Sequence, residues 1–185
     1  GWKDPRTTLF LDFWIKLLPT ANFIFVYRSP WEVVDSLYRR STDEIIMNQP
    51  EMAVKAWIHY NQKVLEFYDR FPERCILASV YTISNYTQEF AKVIHKKFAV
   101  QLEAVKSDIF EAKLLETEIS KTHRPSLIYQ CFSEALEIYR QLDAKGLGFK
   151  SDSDFSSKQE IYPDFQPISA FQDWLDLRRV EKENK

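Results

Sequence analysis

Glycine is scarce in this chain: three among 185 residues, at Gly1, Gly146 and Gly148. A backbone cradle for phosphate needs closely spaced glycines that let several N–H groups point at one anion. No stretch of this sequence supplies one. Cysteine is scarcer still, with only Cys75 and Cys131. They are far apart and stand in no metal-ligand spacing, so neither a disulfide framework nor a zinc site is expected. The three histidines, His59, His95 and His123, form no ligand spacing either, and no metal is expected. Charge of either sign is not in excess: the net charge is −2 and the pI about 6.0. Bulk electrostatics therefore point neither to nucleic acid nor to an anionic membrane. No run approaches the ~20 apolar residues of a membrane span, and no leader pattern is visible. The expected setting is reducing and cytoplasmic.

What is abundant is apolar and aromatic surface: 45% hydrophobic and 15% aromatic residues. That suits one domain with a real core, or most of one. Thr8 to Leu18 is apolar at helical spacing and ends at Pro19. Asn22 to Tyr27 is a short β-rich run without alternation, which predicts a strand buried on both faces of a parallel sheet. Ser29-Pro30-Trp31-Glu32 reads as a capping box with proline at the first helical position. The helix it opens should turn Val33, Val34 and Leu37 inward and end near Arg40. A long helix is expected from Pro50 to about Arg70, then a second apolar strand over Cys75 to Tyr81. Further helices are expected over Ile83 to Phe98 and Leu127 to Leu142. From residue 150 the composition turns Ser/Asp-rich. We read 1–149 as the domain and 150–185 as a polar linker with an amphipathic tail. The alternation predicts a helix-rich α/β fold with a parallel sheet.

In such a sheet, ligands bind beyond the carboxyl ends of the strands. "FIFVYRSPWEVVDSLYRR", Phe23 to Arg40, delivers Arg28 to that end. The next helix aims its free N–H groups at the same place. Arg28 is a forked, permanently charged donor suited to phosphate. Ser36 lies two turns into the helix, and Arg40 follows four residues later on the same face. The plainer alternative is that Arg28 pairs with an acid and Ser36 is a small helix residue.

The same stretch resembles the 3′-phosphate-binding segment of sulfotransferases that use 3′-phosphoadenosine-5′-phosphosulfate. In that family a strand ends in Arg and a Ser follows eight residues later, as Arg28 and Ser36 do here. "WKDPRTTLFLDFWIKLLP" is similar to the "KDPR" segment of bacterial-type members. "CILASVYTISNYTQEF" is similar to a later strand, with Tyr81 at the family's tyrosine and Thr82 and Ile83 in place of its acids. The resemblance covers roughly the first 100 residues. It implies a P-loop-like three-layer domain. It also implies a donor site in which Arg28 and Ser36 hold the 3′-phosphate and Tyr81 lies near the adenine; Arg40 joins them by its place on the helix face of Ser36. The family's phosphosulfate loop, Lys/Arg-Ser-Gly-Thr/Ser after a first strand, has no counterpart in the chain. On this reading the first strand and that loop lie outside the 185 residues, and the fragment alone is inactive.

Sulfonate transfer needs positive charge at the departing phosphate, a base for the acceptor and in-line positioning. The resemblance places Lys3 as the charge; a surface lysine is the alternative. Pro5 stands where many members carry histidine, so no catalytic histidine is carried over. Asp4 reads either as the base or, more plainly, as an ion-pair partner of Arg6 or Arg28. The acceptor, a small molecule or glycan bearing a hydroxyl or amine, is not specified. Two other readings stay open. One is a P-loop-type kinase. The other is a non-catalytic remnant or interaction module with the same fold.

Overall fold

The structure, a computed structural model, describes residues 1–40, 46, 48, 49, 51–100, 128, 130–148 and 167–183. A 3₁₀ turn (Pro5–Phe10) runs into α1 (Leu11–Leu17). β1 (Phe23–Tyr27), α2 (Pro30–Arg40) and α3 (Glu51–Arg70) follow. A short 3₁₀ turn over Pro72–Arg74 leads into β2 (Cys75–Ser79), α4 (Val80–Asn85) and α5 (Thr87–Phe98). The last helices are α6 (Ser133–Lys145) and α7 (Pro167–Glu183). The expected linker and the domain boundary at 149/150 lie outside the described residues. The chain divides into two compact units. The first takes Gly1–Arg28, Tyr60–Leu114 and Arg140–Asp152; the second takes Ser29–His59, Leu115–Tyr139 and Ser153–Lys185.

The first unit holds the sheet. β1 and β2 pair in parallel, in register from Phe23 with Cys75 to Tyr27 with Ser79. The helix-rich α/β class with a parallel sheet is thus present; the described sheet has two strands. β2 is buried throughout, as a strand covered on both faces must be. β1 departs from expectation. Phe25 and Tyr27 are buried, whereas Ile24 is 42% and Val26 52% exposed. An all-apolar run carries no polar residue to mark its open face, so its sequence cannot say that only one face is covered. The covered face packs edge-on against Phe67, with ring centroids 4.9 Å from Phe23 and 5.9 Å from Phe25. Burying an aromatic of this kind contributes roughly 2–3 kcal/mol. Beneath β2, Ile76 and Ala78 meet Phe90 and Ile94 of α5, with Ile83, Val93, Phe98 and Leu147 around them.

Several boundaries move for local reasons. The helix expected over Thr8–Leu18 starts as a 3₁₀ turn capped by Asp4, and Leu11 is its buried anchor. Phe10, Phe13 and Leu17, apolar residues of that helical spacing, are 59%, 58% and 55% exposed. The second strand stops at Ser79 rather than Tyr81, because the Ser79 hydroxyl accepts the Thr82 N–H at 3.0 Å and starts a helix. The helix expected over Ile83–Phe98 breaks at Tyr86 into α4 and α5. It ends where Ala99 adopts a left-handed conformation, φ 55°, and donates its N–H to the His95 carbonyl. Gly146 follows α6, and the Leu147 N–H reaches the Leu77 carbonyl at 2.8 Å.

The second unit is built on α2, the first nine residues of α3 and α7. Trp31, Val34 and Tyr38 of α2 are buried, with Ala53, Val54, Trp57 and Ile58 of α3. Tyr139 packs edge-on to Trp31 at 5.3 Å. Trp174 and Leu175 of α7 are buried as well. The inner face of α2 is therefore centred on Trp31, Val34 and Tyr38. Val33 and Leu37, expected inside, are only half-buried.

Candidate functional site

Arg28 and Ser29 are the two residues between the end of β1 and the start of α2. The strand end follows from the apolar run, and the helix start from Pro30, which lacks only an N–H that the first turn leaves unused. The capping box forms in modified shape. The Ser29 hydroxyl donates to Glu32 Oε2 at 2.5 Å, and the Val33 N–H donates to the Ser29 carbonyl at 3.2 Å. Both Ser29 and Glu32 are buried. The turn that follows Arg28 is thereby fixed by side chains of its own sequence.

In the first unit, Arg28 is half-buried and its Nε and Nη2 are shielded from solvent. Because β1 and β2 are parallel and Tyr27 faces Ser79, the carboxyl ends of both strands lie at one edge. Arg28 leaves that edge from β1. Val80 and Tyr81 leave it from β2, in the first turn of α4. Tyr81 thus stands on a helix rather than a strand. Its hydroxyl is shielded from solvent and has no hydrogen-bond partner among the described residues. Thr82 and Ile83, which replace the acids of the family pattern, have structural roles here. The buried Thr82 hydroxyl meets Ser79 Oγ at 2.9 Å, and Ile83 packs on the cluster under β2.

Lys3 is exposed, one residue before the cap of the N-terminal 3₁₀ turn. Asp4 accepts from the Arg6 backbone N–H at 2.9 Å, from Arg6 Nε at 3.0 Å and from Nη2 at 2.7 Å. These bonds stabilise the carboxylate and hold its pKa below the ordinary range. A carboxylate that binds protons less readily is a poorer general base. The ion pair with Arg6, one of the two roles open to Asp4, is formed.

In the second unit, Ser36 is half-buried and Arg40 exposed. Both fall within α2, four residues apart, so they share a face. His59 and His95 are exposed, and the His95 ring Nδ1 lies 2.9 Å from the Val100 carbonyl. His123 lies outside the described residues. Among the described residues no group of His, Cys, Asp and Glu could hold a metal ion. No described helix is long and apolar enough to cross a membrane.

A groove of about 250 Å³ lies against the 3₁₀ turn and α1. Its charged groups are paired, Arg70 with Asp12 at 2.6 Å and Lys63 with Glu66 at 2.8 Å. None of the candidate site residues Lys3, Asp4, Arg28, Ser36, Arg40 and Tyr81 lines it. The sequence reading missed Asp35, whose buried carboxylate pairs with Arg39 at 2.8 Å and Arg178 at 2.9 Å. The Asp35/Arg39 spacing of four was a signal for the first pair. Nothing local could signal Arg178. Among known proteins, no family model, curated sequence or solved structure matches this chain significantly.

Proposed function

We propose that this chain is the 3′-phosphate-binding portion of a sulfotransferase domain, whose donor is 3′-phosphoadenosine-5′-phosphosulfate and whose acceptor carries a hydroxyl or amine. The reading rests on the Arg28 junction: a strand that ends one residue before an arginine, a capped helix two residues later, and a serine eight residues on. In this reading Arg28 supplies a forked cation to the phosphate, and Ser36 and Arg40 supply a hydroxyl and a second cation. Tyr81 supplies a ring near the adenine. Lys3 stabilises charge on the leaving phosphate. The depressed carboxyl of Asp4 argues against it as the base, so the base is left without a residue. No Lys/Arg-Ser-Gly-Thr/Ser loop is present in the sequence, and these 185 residues are accordingly proposed to bind donor product without turning over.

The test is calorimetry with adenosine 3′,5′-bisphosphate on the full chain. Binding should weaken about 10–100-fold in Arg28→Ala, the usual cost of a charged hydrogen bond, and several-fold in Ser36→Ala. No binding by the wild type, or binding untouched by Arg28→Ala, refutes the proposal. One observation favours the interaction module as a second reading: Ile24, Val26, Phe10 and Phe13 are exposed apolar side chains in the first unit. That reading gains if the bisphosphate does not bind.

A further inference from the structure

Asp35 lies on the inner face of α2 and is 1% exposed. Carboxylates are seldom buried to this degree without charged partners. Arg39 approaches from one turn later on the same helix, Nε to Oδ2 at 2.8 Å. Arg178 approaches from α7, Nε to Oδ1 at 2.9 Å and Nη2 to Oδ2 at 3.4 Å. Arg178 therefore lies within ion-pair reach of both carboxylate oxygens, with one hydrogen bond, from Nη2 to Oδ2. Its side chain is 16% exposed, so the pair is screened little by solvent. Trp174, four residues earlier on α7, is 4% exposed and Leu175 1%. The next inner-face residue of α2, Tyr38, has its phenol pushed up by burial, with Asp176 adding to the effect. Apolar anchors and a charged clamp thus act along the same stretch of two helices.

The geometry of α2 gives this clamp a consequence. At about 100° per residue, Ser36 and Arg40 stand some 40° apart on the side away from Trp31, Val34 and Tyr38. A helix seated only by apolar residues could rotate to bury Val33 and Leu37 instead, and would then turn Ser36 and Arg40 inward. Asp35 opposes that rotation through Arg178, since Arg39 turns with α2 and stays beside it whichever way the helix is seated.

We propose that α7 is a brace for α2 and that Arg178 is a positioning residue, holding through Asp35 the face that presents Ser36 and Arg40 to a phosphate. The ligand half of this proposal rests on the donor-binding reading above; the brace itself does not.

The test uses the full 185-residue chain and three forms: wild type, Arg178→Met and Arg178→Lys. Methionine keeps an apolar stem over the interface and removes the charge. Hydrogen exchange is read by mass spectrometry on peptides from α2, α7 and β2. Affinity for adenosine 3′,5′-bisphosphate is read by calorimetry. In Arg178→Met, amides of both α2 and α7 should exchange about tenfold faster or more, with β2 unchanged. Affinity should fall about tenfold, and Arg178→Lys should recover part of both losses. Unchanged exchange in α2 overturns the brace. Faster exchange in α2 with unchanged affinity overturns the positioning role. If the wild type binds no bisphosphate, the donor-binding reading and the ligand half fall together, while exchange still decides the brace.

Discussion

Gly146 is the position where a single methyl group should be felt most. A Cβ built there would lie 2.7 Å from Tyr27 Oη, 3.2 Å from Tyr27 Cε1 and 2.9 Å from the Leu142 carbonyl oxygen. The first and last distances are shorter than a methyl tolerates, so something must move. Tyr27 is buried at the end of β1, and its hydroxyl donates to Asp143 Oδ1 at 2.7 Å. The Leu142 carbonyl accepts the Gly146 N–H at 2.7 Å at the close of α6. Neither neighbour is the free end of a flexible chain. Overpacking of this kind costs about 1–3 kcal/mol. The lower entropy of unfolded alanine returns about 0.4–1 kcal/mol. Gly146→Ala should therefore destabilise the first unit by about 1–2 kcal/mol. With an m-value of about 2 kcal/mol per molar, the urea midpoint should drop by about 0.5–1 M. Tyr27→Phe alone removes the hydroxyl and its bond to an exposed carboxylate, at a cost of about 1 kcal/mol. In the double variant the closest clash is gone, so the two costs should sum to less than their parts by about 1 kcal/mol. If Gly146→Ala is as stable as wild type, or if the two changes add without coupling, the close approach of Gly146 to Tyr27 does not constrain this position.

Three further outcomes follow from the first unit. The Cys75 thiol, wholly buried in β2, is pushed up to about 11 by desolvation, against its model-compound value of 9.0. Below pH 9 its contribution is intact; between about 9 and 11 the unfolded thiol ionises while the folded one does not, so stability should fall by up to about 2–3 kcal/mol across that window. Urea midpoints of wild type and Cys75→Ala at pH 8 and pH 10.5 check this, since the alanine form should lose less on going alkaline. Asp4 should titrate below the ordinary carboxylate range in carboxyl carbon NMR, and Arg6→Ala should return it there, because the Arg6 hydrogen bonds are the leading cause of the depression. A titration unmoved by Arg6→Ala would show the carboxylate is stabilised by something else. Arg74 donates through Nε to the Ala21 carbonyl at 3.0 Å and through Nη2 to the Leu18 carbonyl at 3.2 Å, while lying over the Phe23 ring at 5.8 Å. Arg74→Met should cost about 1–3 kcal/mol and speed exchange of the amides entering β1; an unchanged β1 would mean the loop holds without it.

How much of this was legible beforehand depends on whether the determining contact is local. Pro30 after Ser29, and the apolar runs of β1 and β2, act within a few residues, and those elements were read within two residues of where they form. The end of β2 was also locally determined, since Ser79 is a helix N-cap, but an apolar Val80-Tyr81 hid it. Burial was less legible. The side-chain period of β1 is two, and a run in which every residue is apolar satisfies either face equally. For the candidate residues, what was legible is the elements that carry them. Arg28, Ser36 and Arg40 occupy the strand end and helix face that the sequence assigned them. Tyr81 was moved by a cap, and Asp4 is bound to Arg6 two residues away.

The orientation of α2 shows what no local pattern could decide. Counting apolar residues alone, Val33, Val34 and Leu37 make as good an inner face as Trp31, Val34 and Tyr38. The observed choice places Glu32 and Asp35 inside, at 0% and 1% exposure. A carboxylate cannot be buried for its own sake, because desolvation outweighs anything its stem contributes. It goes inside where partners wait, and those are Ser29 for Glu32, and Arg39 and Arg178 for Asp35. Two of these lie three and four residues away along the chain; the third is 143 residues away. The ion pairs need add little net stability to matter. Replacing Asp35, Arg39 and Arg178 together by apolar residues of similar size should cost less than removing Arg178 alone, because the latter leaves a buried carboxylate with one of its two cationic partners gone. What the apolar version would lose is the distinction between two nearly equivalent seatings of α2, and with it the side on which Ser36 and Arg40 are displayed.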